Sequence, residues 1–429
     1  MRKFLVLVLA SCALFSVSCT KKEAVQDDAT GAKVTAYLRT WPLNHWGADG
    51  KVETANPINW KAEDIKGEYL TDLIIGFAKI DAADGTSIFV PEVESRTPYG
   101  NNPNAEIAKE MTSVTFPSLW AEVSKLQKKF PKLKIHLSVG GWEADGFSAM
   151  SADEEKKAKF IAALMAIVKE RKLDGVDIDW EYPVGPSWGG LPIDTDPGDR
   201  ENYVALLRDT RAALDKLGGE TKKRYSLSSA IPASGWFAES NDLVAAAAYL
   251  DTYKLMAYDY FGGWTATTGH HANIYNSPQD TTQWPGSTDV YLQSYFNAGL
   301  DPSKIMLGVG TYGRAWKGVV DGGTHGLYQA HQGAVFNDSN PDRGTISWSN
   351  GSPALKELLA DPSYTRYYDD VAKQPYLYNG DIFVTYTDEQ QIKDLCAYAK
   401  EKGLAGIFYW EYGHDNNGEL LKFMAENSK

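Results

Sequence analysis

Between residues 173 and 183 the chain reads Leu173-Asp174-Gly175-Val176-Asp177-Ile178-Asp179-Trp180-Glu181-Tyr182-Pro183. Successive side chains of a β-strand point to opposite faces of its sheet. One face of this strand would carry three carboxyl groups, on Asp177, Asp179 and Glu181. The other face would carry only apolar side chains, on Val176, Ile178 and Trp180. We therefore expect the apolar face to pack against helices and the acidic face to line the inside of a closed sheet. Asp174 is out of phase with the row, so we expect it to hold a neighbouring strand or loop.

Seven other runs of the chain have the composition of short strands, and amphipathic helical patterns separate them. Together with the acidic stretch, the predicted strands are Lys33–Leu38, Leu73–Ile80, Lys134–Val139, Gly175–Glu181, Tyr225–Ala230, Thr252–Tyr258, Ile305–Tyr312 and Gly406–Trp410. Strands that alternate with helices pair in parallel through right-handed crossovers. Eight of them predict an α/β fold, and a closed (β/α)8 TIM barrel fits better than an open doubly wound sheet.

The connection between the seventh and eighth predicted strands is too long for an ordinary loop. It is rich in Gly, Asp, Tyr and Asn and contains short apolar runs such as Ile382-Phe383-Val384. We interpret residues 318–386 as a small α+β insertion beside the barrel mouth. Residues 33–317 would then form barrel strands one to seven, and residues 387–429 the eighth strand and a terminal helix.

The composition limits the kinds of ligand. The chain has 429 residues, and its 43 Lys and Arg against 56 Asp and Glu give a net charge of −13. Binding to nucleic acid requires clustered basic side chains, so a nucleic-acid partner is disfavoured. The 13 Trp and 24 Tyr residues supply many flat rings that either fill a core or stack on a flat ligand.

The first residues have the pattern of an export signal. A basic start at residues 1–3 precedes an apolar run that is too short to span a membrane. Residues 1–18 resemble a bacterial lipoprotein signal, with lipid attachment at Cys19; Cys12 is the alternative, as is an ordinary cleaved signal. Residues 19–32 would be a linker, and only Cys396 remains beyond it, so no internal disulfide is possible. The sequence therefore predicts an exported protein, held at the membrane by its lipid or secreted.

Three carboxyl groups about 6–7 Å apart on one face cannot all stay ionised, so at least one must have a raised pKa. A raised pKa is what a general acid needs at neutral pH. A metal site and a solvated acidic edge are the alternatives. The apolar face argues against an exposed edge, and the additional Asp or Glu ligands that a metal requires are not evident at other strand ends. We favour catalysis, with Glu181 nearest to the carboxyl-end mouth of the barrel.

At this point the chain resembles glycoside hydrolase family 18, the chitinases and their relatives. Leu173–Glu181 matches the acidic signature of the family, and further motifs follow at the other strand ends. These motifs are Ser138-Val139-Gly140-Gly141-Trp142, Lys254-Leu255-Met256-Ala257-Tyr258-Asp259-Tyr260, Tyr312-Gly313-Arg314 and Trp410. Thr35-Ala36-Tyr37 is similar more loosely, and Tyr37 is taken as a candidate substrate contact. Ser138, Gly140 and Gly141 are expected to serve tight packing beside the acidic row rather than catalysis.

The resemblance implies substrate-assisted hydrolysis, in which the N-acetyl oxygen of the sugar attacks C1 and forms an oxazolinium ion. Glu181 would protonate the leaving oxygen and then deprotonate the incoming water, with net retention. Asp179 would hydrogen-bond the acetamido N–H group. Asp177 would share a proton with Asp179, and Tyr258 would hold the acetamido carbonyl group in line.

Five further residues are candidates for substrate binding. Asp259 would contact sugar hydroxyls or the acidic pair, or be structural. Arg314 would bind substrate or brace the insertion against the barrel. Trp410 would form an apolar floor beneath the reacting sugar, and Trp142 and Trp264 would be neighbouring platforms or core residues.

We expect neither a metal nor a cofactor. His270 and His271 are adjacent, so their side chains point in different directions, and no cluster of partner ligands accompanies them.

The leading hypothesis is a chitinase that acts on β-1,4-linked N-acetylglucosamine polymers or oligomers. A second hypothesis keeps the mechanism and cleaves the chitobiose core of N-glycans. A third is a non-catalytic chitin-binding relative, although such relatives typically lose the acid that is present here as Glu181. We expect a monomer whose partner is the saccharide, with membrane contact only through the lipid anchor.

Overall fold

The computed structural model describes residues 32–39, 60–81, 84–89, 119–186, 190–191, 193–282, 286–337, 343–351 and 353–428. Eight strands within these ranges form a closed parallel barrel, in which each strand pairs with the next and the last pairs with the first. The barrel strands are β1 (Lys33–Arg39), β2 (Asp72–Ile80), β4 (Lys134–Gly140), β5 (Gly175–Asp179), β6 (Ser226–Pro232), β7 (Thr252–Met256), β8 (Ile305–Gly310) and β14 (Gly406–Trp410). A short strand, β3 (Ile88–Phe89), pairs antiparallel with β2. The predicted TIM barrel is confirmed.

Helices connect the strands as the alternating pattern predicts. In the described part of the chain they are α1 (Leu119–Lys129), α2 (Phe147–Ser151), α3 (Glu154–Glu170), α4 (Asp199–Thr221), α5 (Gly235–Ser240), α6 (Leu243–Ala247), α7 (Thr288–Asn297), α8 (Leu355–Ala360), α9 (Glu389–Glu401) and α10 (Glu419–Asn427). None of these helices is long and apolar enough to cross a membrane.

Helix α3 shows how the sequence builds this layer. The Asp153 side chain caps the helix by accepting hydrogen bonds from the backbone N–H groups of Glu155 and Lys156. Its apolar residues recur at helical spacing and are buried: Phe160, Ile161, Leu164 and Val168. Each fully buried side chain of this size contributes about 1.5–3 kcal/mol.

A second sheet lies in the chain between β8 and β14, which confirms the predicted α+β insertion. Its strands are antiparallel, in the order β10-β9-β13-β12-β11. They are β9 (Tyr312–Trp316), β10 (Thr345–Ser347), β11 (Thr365–Asp369), β12 (Gln374–Tyr378) and β13 (Phe383–Tyr386). The first of these strands, β9, begins at Tyr312, whereas the sequence analysis starts the insertion at residue 318. Only Thr311 separates β9 from β8. There the Thr311 N–H donates to the Trp410 carbonyl oxygen, at 2.9 Å.

The strands β5 and β7 are shorter than the sequence predicts. The sequence extends them to Glu181 and Tyr258, whereas they end at Asp179 and Met256. Parallel pairing stops there, at Gly140↔Asp179 between β4 and β5 and at Leu255↔Leu307 between β7 and β8. Glu181 and Tyr258 therefore lie just beyond the strands, at the carboxyl end of the barrel, where TIM-barrel enzymes carry their active sites.

Candidate active site

The acidic row on β5 points into the barrel. Asp177 is 0% exposed, Asp179 3% and Glu181 9%, so exposure increases towards the mouth. The alternating side chains belong to the core between barrel and helices: Val176, Ile178 and Trp180. Trp180 stacks on Phe147 of α2, with ring centroids 5.3 Å apart. The predicted orientation of the strand is confirmed.

Asp177 lies at the bottom of the row and is surrounded by donors. Its carboxylate oxygens accept hydrogen bonds from the Tyr37 hydroxyl at 2.8 Å, Ser138 Oγ at 2.7 Å and Ser228 Oγ at 2.6 Å. The Lys254 ammonium group is 3.3 Å from Asp177 Oδ1. Burial alone would raise the pKa of Asp177, but Lys254 and the three hydroxyl groups outweigh it and lower the pKa. Asp177 is therefore an anion at neutral pH.

Asp179 and Glu181 form a hydrogen-bonded carboxyl pair. Burial, with repulsion from Glu181 and Asp177, raises the pKa of Asp179 well above its usual range. Burial also raises the pKa of Glu181 to about 7; the Tyr182 hydroxyl opposes this shift and the charge of Asp259 adds to it. The pair therefore retains a proton near neutral pH, which is the condition for acid catalysis.

Tyr258 follows β7 and lies against Tyr312 and Phe408, with ring centroids 6.2 Å and 6.4 Å away. Burial raises the pKa of its hydroxyl well above 10, so it remains a donor. Among the described residues its hydroxyl has no hydrogen-bond partner, and only burial and neighbouring titratable groups shift its pKa. The Tyr258 hydroxyl is thus a neutral donor near the Asp179–Glu181 pair. The charges of that pair contribute to its raised pKa.

Asp259 and Arg314 join the barrel to the second sheet. Asp259 has a φ of 64°, and its Oδ1 accepts from Arg314 Nε at 2.9 Å and Nη2 at 2.8 Å. Arg314 also donates to the Thr345 hydroxyl of β10 at 2.6 Å. Arg314 therefore braces the inserted sheet, one of the two roles predicted for it, while Asp259 is close enough to Glu181 to influence its pKa.

Aromatic rings form the wall of the mouth on the side of β14. Trp410 stacks nearly parallel to Phe77, at 5.6 Å between centroids and 18° between planes. Tyr37 is 2% exposed and its ring lies 5.7 Å from Trp410, while its hydroxyl is bonded to Asp177. Trp410 is thus held in a fixed orientation between the rings of Phe77 and Tyr37.

The two other predicted platforms are exposed. Trp142 is 40% exposed and meets Tyr182 edge-on at 6.4 Å. Trp264 is 58% exposed and covers the Arg314 guanidinium group at 5.0 Å. Neither is a core residue, which was the alternative for both.

Gly140, the last residue of β4, and Gly141, which follows it, allow β4 to lie close to the backbone of the acidic row, as predicted. A Cβ on Gly140 would lie 1.9 Å from the carbonyl oxygen of Asp179, and Gly140 has a φ of 123°. The Gly141 N–H donates to the same oxygen at 2.8 Å. Asp174, as predicted, holds the adjacent strand, because its Oδ2 accepts from the Ile135 N–H at 2.8 Å.

The paired histidines are buried beside the inserted sheet. His270 Nε2 lies 3.1 Å from Asp369 Oδ2 of β11, and both His270 and His271 are buried. Within the described ranges no group of three or more His, Cys, Asp or Glu side chains is placed to hold a metal ion. Cys12 and Cys19 lie outside the described residues.

Sequence reasoning missed three residues of the site, Lys254, Ser228 and Tyr182. It also assigned Ser138 to packing, whereas Ser138 Oγ donates a hydrogen bond to Asp177. Lys254 contacts Asp177. The sequence already indicates that its side chain points into the barrel, because Lys254, Met256 and Tyr258 are spaced by two residues along the predicted strand. The hydrogen bond from Tyr182 to Glu181 has no signal in the sequence, because neighbours on an extended chain normally point in opposite directions.

The chain is similar in sequence to named proteins. The family model of glycosyl hydrolases family 18 matches residues 45–415. Chitinase A1 of Niallia circulans is 34% identical over 312 residues, covering 70% of this chain and 43% of that protein. Chitinase A of Pseudoalteromonas piscicida is 32% identical over 365 residues, covering 76% of this chain and 43% of that protein. The chain thus spans less than half the length of these two relatives.

Solved structures agree with this comparison. A glycoside hydrolase family 18 N-acetylglucosaminidase from Paenibacillus barengoltzii is 29% identical with a TM-score of 0.72, covering 92% of this chain and 99% of that one. Chitinase ChiW from Paenibacillus sp. str. FPU-7 is 31% identical with a TM-score of 0.74, covering 92% and 42%. Because the family model spans most of the sequence, the chain belongs to glycosyl hydrolases family 18.

Proposed function

We propose that the chain is a retaining chitinase that hydrolyses β-1,4-linked N-acetylglucosamine polymers or oligomers. The observation that carries this proposal is the hydrogen-bonded pair of Asp179 and Glu181 at the barrel mouth, where Glu181 has a pKa of about 7. Glycoside hydrolysis needs a carboxylic acid that is still protonated near neutral pH. Glu181 is the outermost acid of the row and is the proton donor to the leaving oxygen.

The nucleophile is the acetamido oxygen of the substrate. Retaining enzymes that use a protein nucleophile place two separate carboxyl groups about 5–5.5 Å apart, on either side of the bond. Asp179 is instead hydrogen-bonded to Glu181. This favours attack by the N-acetyl oxygen on C1 and an oxazolinium intermediate. Asp179 accepts the acetamido N–H, and Glu181 removes a proton from the water that opens the intermediate.

Two further residues orient the reacting sugar. The Tyr258 hydroxyl remains protonated and has no partner among the described residues, so it donates to the acetamido carbonyl group. Trp410, backed by Phe77 at 5.6 Å, stacks on the apolar face of the pyranose ring. Both contacts restrict the acetamido group to the position from which it attacks.

The names of the relatives support this substrate class. Two of them are named chitinases, and a similar solved structure is named an N-acetylglucosaminidase. Action on the chitobiose core of N-glycans is a second candidate. The inserted sheet beside the barrel favours chitin, because it adds a wall along which a long polymer binds.

The first experiment measures hydrolysis of N-acetylglucosamine oligomers of two to six units, with product lengths followed over time. The proposal is supported if the wild-type protein cleaves the oligomers and the Glu181→Gln variant does not. Binding without cleavage would indicate a lectin. Cleavage of a high-mannose glycoprotein in preference to oligomers would indicate the N-glycan activity. Replacing the N-acetyl group by a free amine at the cleavage subsite should stop the reaction, and efficient cleavage there would contradict substrate assistance.

We further propose that the protein is exported and anchored through a lipid on Cys19. The support is the sequence alone: a basic start, an apolar run and a cysteine after small residues. Expression of the full chain with radiolabelled palmitate in a bacterial host tests this. Label and membrane association should be lost in Cys19→Ser and kept in Cys12→Ser, and the reverse result would move the lipid to Cys12.

A further inference from the structure

Lys254 is a buried cation inside the barrel, and nothing in the reaction above uses it. Its side chain comes from β7 and is 3% exposed. Its ammonium group lies 3.3 Å from Asp177 Oδ1 and 2.5 Å from Ser228 Oγ. Removing an ammonium group from water is costly unless it is paired and hydrogen-bonded. Asp177 is the anion that compensates it.

Asp177 has no acceptor position left for a neighbouring acid. An ionised carboxylate offers about four lone-pair sites. Two donors reach Oδ2, from Tyr37 and Ser138, and two reach Oδ1, from Ser228 and Lys254. Between the described positions of Asp177 and Asp179 there is no hydrogen bond, only repulsion. The proton sharing that the family resemblance implies for Asp177 is therefore not made in this state.

The proton that the acidic row retains is shared by its two outer members, Asp179 and Glu181. Asp179 is hydrogen-bonded to Glu181, and its Oδ1 atom is buried without a partner among the described residues. We infer that Lys254 is a positioning residue that keeps Asp177 an anion while Asp179 is paired with Glu181, so that in this arrangement the proton of the acidic row stays on Asp179 and Glu181. This inference rests on the proposed hydrolysis and concerns how the same site holds its proton.

The other charged groups near Lys254 are matched with one another. A small cavity of the barrel interior is lined by Lys254 and by four further titratable groups: Lys33, Asp72, His136 and Asp251. Asp72 lies 3.1 Å from His136, and Asp251 pairs with Arg211 and Arg224. Burial would raise the pKa of Asp72, but His136 and the charge of Lys33 lower it. On the upper side Asp177 faces Asp179 and accepts a hydrogen bond from the Tyr37 hydroxyl, and its charge contributes to the raised pKa of Tyr203, whose hydroxyl donates to Ser229. Asp177 is therefore the carboxylate in contact with Lys254.

The test is the pH profile of kcat/KM in a Lys254→Met variant, with N-acetylglucosamine oligomers as substrate. Without the cation Asp177 takes up a proton at higher pH, and the acidic limb of the profile should move upward by about 1 pH unit or more. A merely structural lysine would lower the rate at all pH values without moving the limb. In an Asp177→Asn background the same substitution should produce no further shift of the acidic limb, although the loss of the Lys254 charge also removes an influence that lowers the pKa of Asp179.

Lys157→Met is the matched control. Lys157 on α3 is also 2% exposed and ion-paired, with Glu154 and Asp209, but it lies outside the barrel. This variant should lose thermal stability, as Lys254→Met also should, and keep the wild-type pH profile. A Lys254→Met profile that superimposes on the wild type after scaling overturns the inference while hydrolysis stands. A wild-type chain that hydrolyses no oligomer overturns the proposed function, and the inference with it.

Discussion

The Tyr182 hydroxyl donates a hydrogen bond to the carboxylate of Glu181, its neighbour in the sequence. Burial and the charge of Glu181 raise the pKa of Tyr182 well above 10, so its hydroxyl group remains protonated at neutral pH. Glu181 is thus held in place by Tyr182 on one side and by Asp179 on the other. The contact with Tyr182 does not require a proton on Glu181, whereas the contact with Asp179 requires one proton on the pair.

Glu181→Gln should therefore preserve the structure and remove the acid. The amide oxygen still accepts from Tyr182, and the side chain has nearly the same volume. We expect kcat to fall by about 10²–10⁴-fold or more, because acid catalysis supplies that much. Oligomer binding, measured by calorimetry, should remain. Glu143→Gln is the control, since it removes one charge from an exposed position after β4; near-normal turnover of Glu181→Gln would refute the assignment.

The pH dependence follows from the pKa of Glu181. The general acid must be protonated in the free enzyme, and its pKa is about 7. The value of kcat/KM should therefore fall above about pH 7, tenfold for each further unit. Because the charge of Asp259 contributes to raising this pKa, Asp259→Asn should move the basic limb to lower pH. A basic limb that moves upward in Asp259→Asn would contradict this account of the electrostatics.

The Tyr258→Phe variant tests whether the hydroxyl group orients the substrate without contributing to the stability of the fold. The hydroxyl has no partner among the described residues, so its loss should change the free energy of unfolding by no more than about 0.5 kcal/mol. If it holds the acetamido carbonyl group, kcat should fall by about 10²-fold, as when an enzyme loses one donor to a reacting oxygen. Hydrolysis rates and thermal unfolding measure the two effects.

Tyr409→Phe is the matched control for Tyr258→Phe. Tyr409 on β14 is fully buried in the outer core, and its hydroxyl also has no partner among the described residues. It should change neither kcat nor KM. Equal activity losses in the two variants would mean that Tyr258 acts only through packing.

The sequence predicts most of the barrel because its signals are local. The alternation along β5 and the helical spacing of Phe160 and Leu164 each reflect which face is buried, and the structure agrees. The orientation of the acidic row follows directly from the two-residue period. The same period marks Lys254 as inward-facing, but the pattern alone does not identify Asp177 as its partner.

Relationships between distant segments were not predictable in the same way. The brace from Arg314 to Asp259 and Thr345 depends on how β9 leaves the barrel, and β9 begins where the sequence predicts the end of the seventh strand. Four donors converge on Asp177 from four strands through the register of the whole barrel. Long-range pairing sets both arrangements, and no single segment encodes it.

The close approach of β4 to the acidic row gives a last prediction. A Cβ on Gly140 would lie 1.9 Å from the carbonyl oxygen of Asp179, which is a backbone atom and cannot move aside as a flexible side chain would. The φ of 123° is also unfavourable for any other residue. Gly140→Ala should therefore destabilise the fold by on the order of 3 kcal/mol or more and displace Asp179, so that kcat falls even in the fraction that remains folded. Gly219→Ala, at a position in α4 with open space around it, should be neutral or stabilise by up to about 1 kcal/mol. Chemical denaturation and oligomer hydrolysis compare the two variants, and an active Gly140→Ala protein of wild-type stability would show that β4 does not constrain the row.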